Sequence, residues 1–405
     1  MQQQDAQAIA DTFDLRRLPP AFYDDPYPVY RLLRERQPVR AMPDGSYFLT
    51  RYQDLLAVYH DQTAFSSDKK KEFLPKYGDS PLYEHHTTSL VFSDPPLHTR
   101  VRRLIMGALT PRHIHAMTPG LIALVDRLLD KMEEKRDVDL IEDYAAQIPV
   151  EIIGNMLGVP IEQRGPLRDW SLAVLGALEP ALTPEQTARG NQAVSDMIVW
   201  LQALIADRRA RPGDPDVDVL TRLIQGGADG EKLTPHELVH NCIFLLNAGH
   251  ETTTNLIGNS LVLLEDHPQA RARLVADPTL TKTAVEEFLR FESSNQLGNR
   301  ITTRDVEIGD VKMPAETQIT LCIGAANRDP AQFADPETLD ITRTQNRHLA
   351  FGVGPHQCSG MNLGRLEGKV AIERLLARFP NFRLAGPRVR GGRARFRGFL
   401  SLPAQ

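Results

Sequence analysis

Phe351-Gly-Val-Gly-Pro-His-Gln-Cys358-Ser-Gly360 is the stretch of sequence that decides the fold, and it runs directly into the helical sequence MNLGRLEGKVAIERLLARF. The thiol of Cys358 stands just before this predicted helix, whose partial positive N-terminal charge favours a thiolate. Gly352, Gly354 and Gly360 allow a tight turn and a close approach of the backbone to a flat ligand. Exposed N–H groups in such a turn can donate to the sulfur and tune its electron density. The alternative is a glycine-rich loop with an incidental cysteine.

A long predicted helix of unusual composition lies upstream of this loop. Thr234, Pro235 and Glu237 predict an N-cap, a proline at the first helical position and a capping-box acid, and the helical pattern continues to about Asp266. The middle of the helix carries Gly249 and three consecutive threonines, which are mediocre or poor helix formers. Because sequence rules fail most often at functional sites, the centre of this helix is a candidate site.

Two further motifs pair charged side chains at helical spacing. Glu287 and Arg290 are three residues apart, so they can meet on one face of a helix. Exposed pairs of this kind are common and contribute little to stability. In DPPLHTRVRR (94–103), His98 and Arg102 are four residues apart on a helix predicted to begin after the two prolines. Both side chains can therefore reach one anionic group.

Taken together, these motifs resemble the cytochrome P450 family in its soluble bacterial form. The cysteine loop matches the haem-binding signature F-G-x-G-x-H-x-C-x-G, and the three other motifs match in order and spacing, so the resemblance runs from about Asp24 to the C-terminus. It implies a mainly α fold with a small β region, in which haem lies between the long central helix and the Cys358 loop. We expect residues 1–405 to form a single haem domain.

The resemblance implies a haem b site built from distant parts of the chain. Cys358 is expected to ligate the iron, and His98, Arg102, Arg300 and His356 to contact the two propionates. The other expected haem contacts are Ala248, Gly249, Phe351, Gly352 and Gly360.

The centre of the long helix, Ala248-Gly-His-Glu251-Thr252, is expected to activate oxygen. Gly249 should leave room for the planar cofactor and a diatomic ligand. The Thr252 hydroxyl can hydrogen-bond bound oxygen or turn to a backbone carbonyl, and Glu251 can pass protons inward from solvent. An acid–threonine pair in a helix is common and means little by itself. Here the pair lies on a glycine-interrupted helix upstream of the cysteine loop, which favours the functional interpretation.

The Glu287–Arg290 pair is expected to have a structural role. In the family this pair is buried and takes a third polar partner, often an arginine in a P-x-R-F segment. The matching segment here is Pro336-Glu-Thr-Leu339, with Thr338 in the place of that arginine. We expect Arg343 to substitute for it.

Matching the substrate-facing positions of the family selects four residues, namely Phe244, Asn247, Asn295 and Leu297. Relatives often carry apolar residues at positions 247 and 295, and Ser294 replaces a usual proline. Because unpaired buried amides are costly, we hypothesise a substrate that bears a hydrogen-bonding group.

Composition narrows the class of protein further. A net charge of -5 gives no global basic field for nucleic acid or anionic membrane. No apolar stretch approaches the ~20 residues of a membrane helix, so we expect a cytoplasmic protein. Cys242 and Cys322 lie in apolar runs and are expected in the core. Helical patterns dominate, whereas SYFLTR (46–51) and VEIGDVKMPAETQITLCIG (306–324) predict strands, the second as a small hairpin sheet with Gly309 and Pro314 at its turns.

The resemblance implies a monooxygenase that inserts one atom of O₂ into a small organic substrate. The sequence shows no flavin or iron–sulfur domain, so electrons from NAD(P)H should arrive through a ferredoxin or flavodoxin and its reductase. Candidate docking residues are Arg100, Arg103, Arg112, Arg347 and Arg365, against the alternative of scattered surface charge. A haem-based sensor and a peroxide-driven or isomerising haem-thiolate enzyme are the rival functions. The intact Glu251–Thr252 pair argues against both, since a sensor needs no delivery of protons and the peroxide-driven or isomerising enzymes often replace this pair.

Overall fold

The computed structural model describes residues 1–227 and 230–405, and helices dominate it. It is 57% helical with a small sheet region, which confirms the mainly α prediction. The helices are α1 Gln3–Asp11, α2 Pro20–Asp24, α3 Tyr27–Arg36, α4 Tyr52–His60, α5 Lys70–Tyr77, α6 Pro81–Thr88, α7 Leu97–Ala108, α8 Pro111–Ala116, α9 Thr118–Glu133, α10 Gln147–Met156, α11 Leu167–Gly176, α12 Pro184–Ala210, α13 Val219–Gln225, α14 Pro235–Asp266, α15 Pro268–Ala276, α16 Thr281–Phe291, α17 Ile323–Ala326 and α18 Met361–Arg378. The strands are β1 Val39–Ala41, β2 Tyr47–Leu49, β3 Phe65–Ser66, β4 Val138–Asp139, β5 Leu297–Thr302, β6 Val306–Ile308, β7 Val311–Met313, β8 Gln318–Cys322, β9 Val389–Arg390, β10 Phe399–Ser401 and β11 Pro403–Ala404.

Helix α14 is the central rod of the fold. Its N-terminus has the predicted capping box, because Glu237 N–H donates to Thr234 Oγ1 (3.2 Å) and Thr234 N–H donates to the Glu237 carboxylate (2.9 Å). Its 32 residues span about 48 Å at 1.5 Å per residue. It is packed by α10, α11, α12, α16 and α18. Because these helices surround it, α14 is buried along most of its length, and its buried residues include polar ones such as Asn247, Glu251 and Asn255.

The main sheet has five strands in the order β1-β2-β8-β5-β3. Strand β8 runs parallel to β2 and antiparallel to β5. The prediction of a single hairpin sheet over 306–324 is therefore only partly right. Strands β6 and β7 form a hairpin, with Gly309 at φ +59° in the turn, but β8 leaves it. Ile319 and Leu321 in β8 are 1% and 0% exposed. The backbone groups of so buried a strand need hydrogen-bond partners at both edges, and β2 and β5 supply them.

Hydrophobic packing positions the cysteine loop between two parts of the core. The largest cluster surrounds α9, α10, α14 and α18, and Phe351 packs against it. A second cluster lies on the sheet around Leu49, Leu321 and Phe333, and Val353 packs against that one. The loop is thus held from both sides just before α18 begins.

The two cysteines outside the loop are core residues, as predicted. Cys242 and Cys322 are both 0% exposed, within the large cluster and within a third cluster formed with the N-terminal helices. In the part of the chain that the structure describes, no helix is both long and apolar enough to cross a lipid bilayer.

Candidate active site

The cysteine loop is a series of tight turns that presents one thiol. Cys358 N–H donates to the Phe351 carbonyl (2.9 Å), which closes the loop on itself. Gly352 and Gly354 have φ of +61° and +76°, in the left-handed region that favours glycine. A Cβ at Gly354 would also lie 2.7 Å from the carbonyl oxygen of Tyr59. Unlike the other two cysteines, Cys358 is exposed.

The surroundings of the Cys358 thiol act on its pKa in opposite directions. The sulfur has accessible surface, yet enough protein surrounds it that desolvation raises its pKa, while the Gly360 N–H, Arg102 and Arg365 act in the opposite direction. The N–H donor predicted from the turn is thus present at Gly360. Coordination to a metal cation deprotonates a thiol outright, so this environment fits a metal-bound sulfur better than a free thiolate.

Four basic side chains from three parts of the chain meet beside the loop. The rings of His98 (α7) and His356 stack with centroids 3.9 Å apart. Arg102, one turn after His98, donates to the Gln357 carbonyl (2.7 Å). Arg300 of β5 acts on the pKa of both histidines. Nε2 of His98 is buried and has no hydrogen-bond partner among the described residues.

This basic cluster has more positive charge than the protein neutralises. Burial, and then the other three members of the cluster, lower the pKa of His356 to about 2. Burial also lowers the pKa of His98, Arg102 and Arg300. Asp94 is the acid that acts on the cluster, and its carboxylate already accepts hydrogen bonds from two serines. Such a group calls for a further anion, and the two propionates of haem fit both the charge and the unpartnered nitrogen.

The centre of α14 places the oxygen-activating candidates side by side. The Thr252 hydroxyl donates to the Ala248 carbonyl (2.8 Å), which is the second of its two predicted partners. A Cβ at Gly249 would lie 3.4 Å from Ile153 in α10, which is an ordinary van der Waals contact. The role of Gly249 in making room for the cofactor stays a prediction.

Glu251 is buried and forms an ion pair with Arg393, which lies between β9 and β10. Arg393 is itself held by a hydrogen bond to the Leu172 carbonyl (3.0 Å). Burial raises the pKa of Glu251 to about 7, even though Arg393 lowers it. Oε2 of Glu251 has no partner among the described residues. A carboxyl that titrates near neutrality with one free oxygen is suited to passing protons.

A small cavity of about 20 Å³ lies beside Glu251. Its lining includes Arg168, His250, Asn255 and Arg393. Since one water needs roughly 10–15 Å³ of such space, the cavity can hold a single water molecule. Both ring nitrogens of His250 are buried without a described partner. The cavity thus offers polar groups for a bound water next to the carboxyl.

The Glu287–Arg290 pair is buried and extensively hydrogen-bonded. Both side chains are 0% exposed and form two hydrogen bonds with each other, at 2.8 and 2.7 Å. Arg343 donates to Glu287 (3.2 Å), which is the geometry expected of the third partner. Asn346 also donates to Glu287 (3.1 Å), and Arg290 donates to the Thr338 carbonyl (3.2 Å). The pair therefore ties α16 to the segment that leads into the cysteine loop.

A second brace of the loop was missed by the sequence reasoning. Arg365 in α18 makes two hydrogen bonds to Glu286 (2.7 and 2.8 Å) and lies 4.7 Å over the ring of Phe351. Burial opposes the charge of Glu286, but hydrogen bonds from His348 and Arg365 lower its pKa to about 2. Arg365 was predicted as a docking residue; the structure pairs it with Glu286, and its role in docking stays a prediction.

The four predicted substrate positions fall into different surroundings. Asn247 is 2% exposed, and both atoms of its carboxamide lack a described partner. Oδ1 of Asn295 is also buried without a described partner. Phe244 is partly buried against the large cluster. Leu297 is 1% exposed and packs into the N-terminal cluster, and its contact with a substrate stays a prediction.

The other four predicted docking arginines differ in their ion pairs and exposure. Arg100 pairs with Glu237, and Arg103 with Glu231. The side chains of Arg112 and Arg347 are exposed.

Arg393 and His250 are the other residues beside Glu251 that sequence reasoning missed. Arg393 lies in the basic run RGGRARFRG (390–398), which reads as surface charge, and no spacing rule links it to a residue so far away. His250 was overlooked although it stands next to Glu251 in the motif.

Comparison with known proteins is consistent with this geometry. The family model described as "Cytochrome P450" matches residues 176–383. The biotin biosynthesis cytochrome P450 of Bacillus subtilis is 35% identical, over 90% of this chain and 91% of that protein. The vitamin D(3) 25-hydroxylase of Pseudonocardia autotrophica is 39% identical, over 90% and 89%. The crystal structure of P450BioI in complex with hexadec-9Z-enoic acid ligated acyl carrier protein has a TM-score of 0.89 and 34% identity, and covers 95% of this chain and 98% of that one.

Proposed function

The chain belongs to the cytochrome P450 family, and from this premise we propose a role for each residue of the site. The protein is a haem-thiolate monooxygenase that oxidises a small substrate with O₂ and draws electrons through a redox partner. Cys358 is the iron ligand. His98, Arg102, Arg300 and His356 bind the propionates. The guanidinium charges of Arg102 and Arg300, which exceed the single charge of Asp94, and the unpartnered Nε2 of His98 carry this assignment.

Bound haem would supply the redox chemistry that activates O₂, and thiolate donation favours cleavage of the O–O bond. The protein's own contribution is to position groups and to move protons. Gly360 N–H donates toward the Cys358 sulfur and limits its basicity. The remaining haem contacts are assigned to Ala248 and Gly249 of α14 and to Phe351, Gly352 and Gly360 of the cysteine loop.

Proton delivery is assigned to Glu251 and Thr252. Glu251 takes a proton from the water-sized cavity at its outer side, where Arg393 holds the carboxylate when it is ionised. The Thr252 hydroxyl now donates to the Ala248 carbonyl, and rotation about its χ1 bond frees it to donate elsewhere. The support for this relay is that an acid, Glu251, and a hydroxyl, Thr252, are adjacent in the buried middle of α14.

The direct test of the thiolate assignment is the absorption of the reduced carbon monoxide complex. We expect the red-shifted band of thiolate-ligated haem in the wild type, in Cys242→Ala and in Cys322→Ala. Cys358→Ala should lose the band. Retention of the band in Cys358→Ala, or an imidazole ligand in the wild type, would overturn the assignment.

We further propose that the redox partner is a ferredoxin or flavodoxin that docks on the Cys358 side. Arg112 and Arg347 are exposed and available, whereas Arg100 and Arg103 already have acidic partners. Charge reversal at Arg112 or Arg347 should raise the KM for ferredoxin and change its salt dependence. Arg209→Glu, an exposed arginine of α12, is the matched control. Equal effects of all three variants would refute a defined docking surface.

NADH-driven turnover with ferredoxin and its reductase also separates the rival functions. A monooxygenase couples electron use to an oxygenated product, whereas a sensor forms no product. A peroxide-driven or isomerising enzyme turns over without the electron supply. The location in the cytoplasm stays a prediction.

For the substrate, we propose a molecule that presents a hydrogen-bonding group to Asn247. The support is the unsatisfied carboxamide, since a buried amide without a partner costs free energy in the absence of a ligand. Asn247 lies one helical turn before Glu251, so the polar contact would be made next to the oxygen-activating groups. Asn295, with its buried Oδ1, is a second contact.

A matched pair of ligands tests this proposal by the shift in haem spin state. Dodecan-1-ol and dodecane have equal chain length and differ by one hydroxyl. Asn247→Val should weaken binding of the alcohol about 5- to 150-fold, corresponding to ~1–3 kcal/mol for an unsatisfied group, and leave the alkane unchanged. Asn381→Val, at an exposed position, is the control. Unchanged affinity for the alcohol in both Asn247→Val and Asn295→Val would rule the proposal out.

A further inference from the structure

A second cluster of possible metal ligands lies where α6 meets the N-terminal end of α14. His236 and His240 are four residues apart on α14, and their ring centroids are 4.5 Å apart. Glu84 reaches them from α6, with Oε1 3.6 Å from His236 Nδ1 and 4.0 Å from His240 Nε2. The ligand atoms of the three residues all lie within 4.8 Å of one another.

We propose that Glu84, His236 and His240 bind one divalent transition-metal ion of the Zn²⁺ class. Two imidazoles and one carboxylate are a donor set that Zn²⁺ accepts, with water in the fourth position. Ligand atoms about 2.0–2.1 Å from zinc in a tetrahedron stand about 3.3 Å apart. The Glu84–His236 separation of 3.6 Å is close to this value, and the Glu84–His240 separation of 4.0 Å needs to contract by about 0.7 Å. The two histidine nitrogens lie within 4.8 Å of each other and need to contract by up to about 1.5 Å.

The mobility of the three side chains favours such a contraction. The side chains of Glu84 and His236 are each about half exposed, at 50% and 51%, so both can rotate. His240 is 3% exposed and is held in place by the surrounding core. One fixed ligand with two adjustable ones lets the site close around an ion without moving either helix.

The outer partner of His236 also suits metal binding. Thr88 Oγ1 lies 3.2 Å from Nε2 of His236, which orients the ring and leaves Nδ1 toward Glu84. Metal-bound histidines commonly use their second nitrogen in this way. Nδ1 of His240 is buried and lacks a described partner, while its Nε2 faces Glu84. The ring of His85 packs behind it, with centroids 5.8 Å apart.

A bound ion would tie α6 to α14 at a distance from the oxygen chemistry. Asn241, the next residue after His240, already accepts a hydrogen bond from the Leu90 N–H (3.0 Å), just beyond the end of α6. The ion would add a second attachment at Glu84. Thr252 lies 12 residues further along α14, about 18 Å away at 1.5 Å per residue. The site is therefore separate from the Cys358 centre.

Calorimetric titration of Zn²⁺ into the haem-loaded, untagged chain tests the proposal. Haem loading keeps the Cys358 sulfur occupied, and the other two cysteines are buried. We expect one bound equivalent in the wild type and in His115→Ala, whose exposed histidine in α8 is the matched control. His236→Ala and Glu84→Gln should each weaken binding at least about 10-fold, the loss expected when a contact of a metal site is removed.

X-ray absorption at the zinc edge identifies the ligands in the same sample. Nitrogen and oxygen at about 2.0–2.1 Å, with no sulfur at about 2.3 Å, would support the site. Sulfur at the zinc, no uptake by the wild type, or equal affinity of the wild type and His236→Ala would each overturn it. Both substituted side chains are half exposed, and circular dichroism should show that the variants fold like the wild type.

Discussion

Replacement of Glu287 by glutamine should destabilise the protein far more than loss of an exposed carboxylate. The Glu287 oxygens accept five hydrogen bonds, two from Arg290 and one each from Asp340 N–H, Arg343 and Asn346. In either orientation, the amide of Glu287→Gln turns an N–H₂ group toward some of these donors and removes the charge that balances buried Arg290. Breaking a buried ion pair in this way costs about 3–5 kcal/mol.

The matched control is Asp126→Asn on α9. Asp126 makes two hydrogen bonds to Arg374 (2.6 and 2.7 Å), but the two side chains are 37% and 46% exposed. The same chemical change should therefore cost at most about 1 kcal/mol.

Urea unfolding of the haem-loaded protein, followed by circular dichroism and by haem absorption, measures both variants. With a shared slope, the shift in midpoint gives the change in the free energy of unfolding. The hydrogen bonds of Glu287 tie α16 to the segment before the cysteine loop. In Glu287→Gln, the midpoint of haem release should therefore shift together with the midpoint of chain unfolding. The reasoning fails if Glu287→Gln stays within about 1 kcal/mol of the wild type, as an exposed pair would.

Three other changes have definite expected outcomes. Arg393 lowers the pKa of Glu251, so Arg393→Ala should raise that pKa above about 7. Because Glu251 must be protonated to deliver a proton, the falling, alkaline limb of kcat should move to higher pH, and Arg393→Lys should restore it. Superimposable pH profiles would contradict the ion pair. Arg365→Ala removes the partner of Glu286 and the cation over the ring of Phe351, so we expect the thiolate–carbon monoxide band to be lost faster on storage. Arg365→Lys should be intermediate. An unaltered lifetime of the band in Arg365→Ala would contradict this role. Burial, and then a nearby arginine, lower the pKa of His250 to about 3, so the unfolded chain takes up a proton near pH 6.5 while the folded imidazole stays neutral. Stability is therefore lost as the pH falls through this window, by about 2 kcal/mol at pH 5, and His250→Leu should flatten the acid limb of the unfolding midpoint.

The local features of the site follow from sequence because their causes are local. The capping box of Thr234 and Glu237 satisfies helix-end donors within four residues, so the start of α14 could be predicted to the residue. The turns around Cys358 need backbone angles that glycine favours, and Gly352 and Gly354 supply them. The i,i+3 and i,i+4 spacings likewise placed Glu287 with Arg290, and His98 with Arg102, on shared helix faces.

What only the tertiary structure decided is which side chains meet across long stretches of chain. Arg393 pairs with Glu251 from a basic run that looks like ordinary surface charge, and no periodicity relates the two positions. Gly249 faces Ile153 of another helix, and Leu297 is enclosed by the N-terminal cluster, so the direction of each depended on a packing partner that the local pattern does not contain. Helix ends, turns and spacings are fixed by interactions over a few residues. Burial and charge compensation, in contrast, are set by neighbours that only the folded chain brings together.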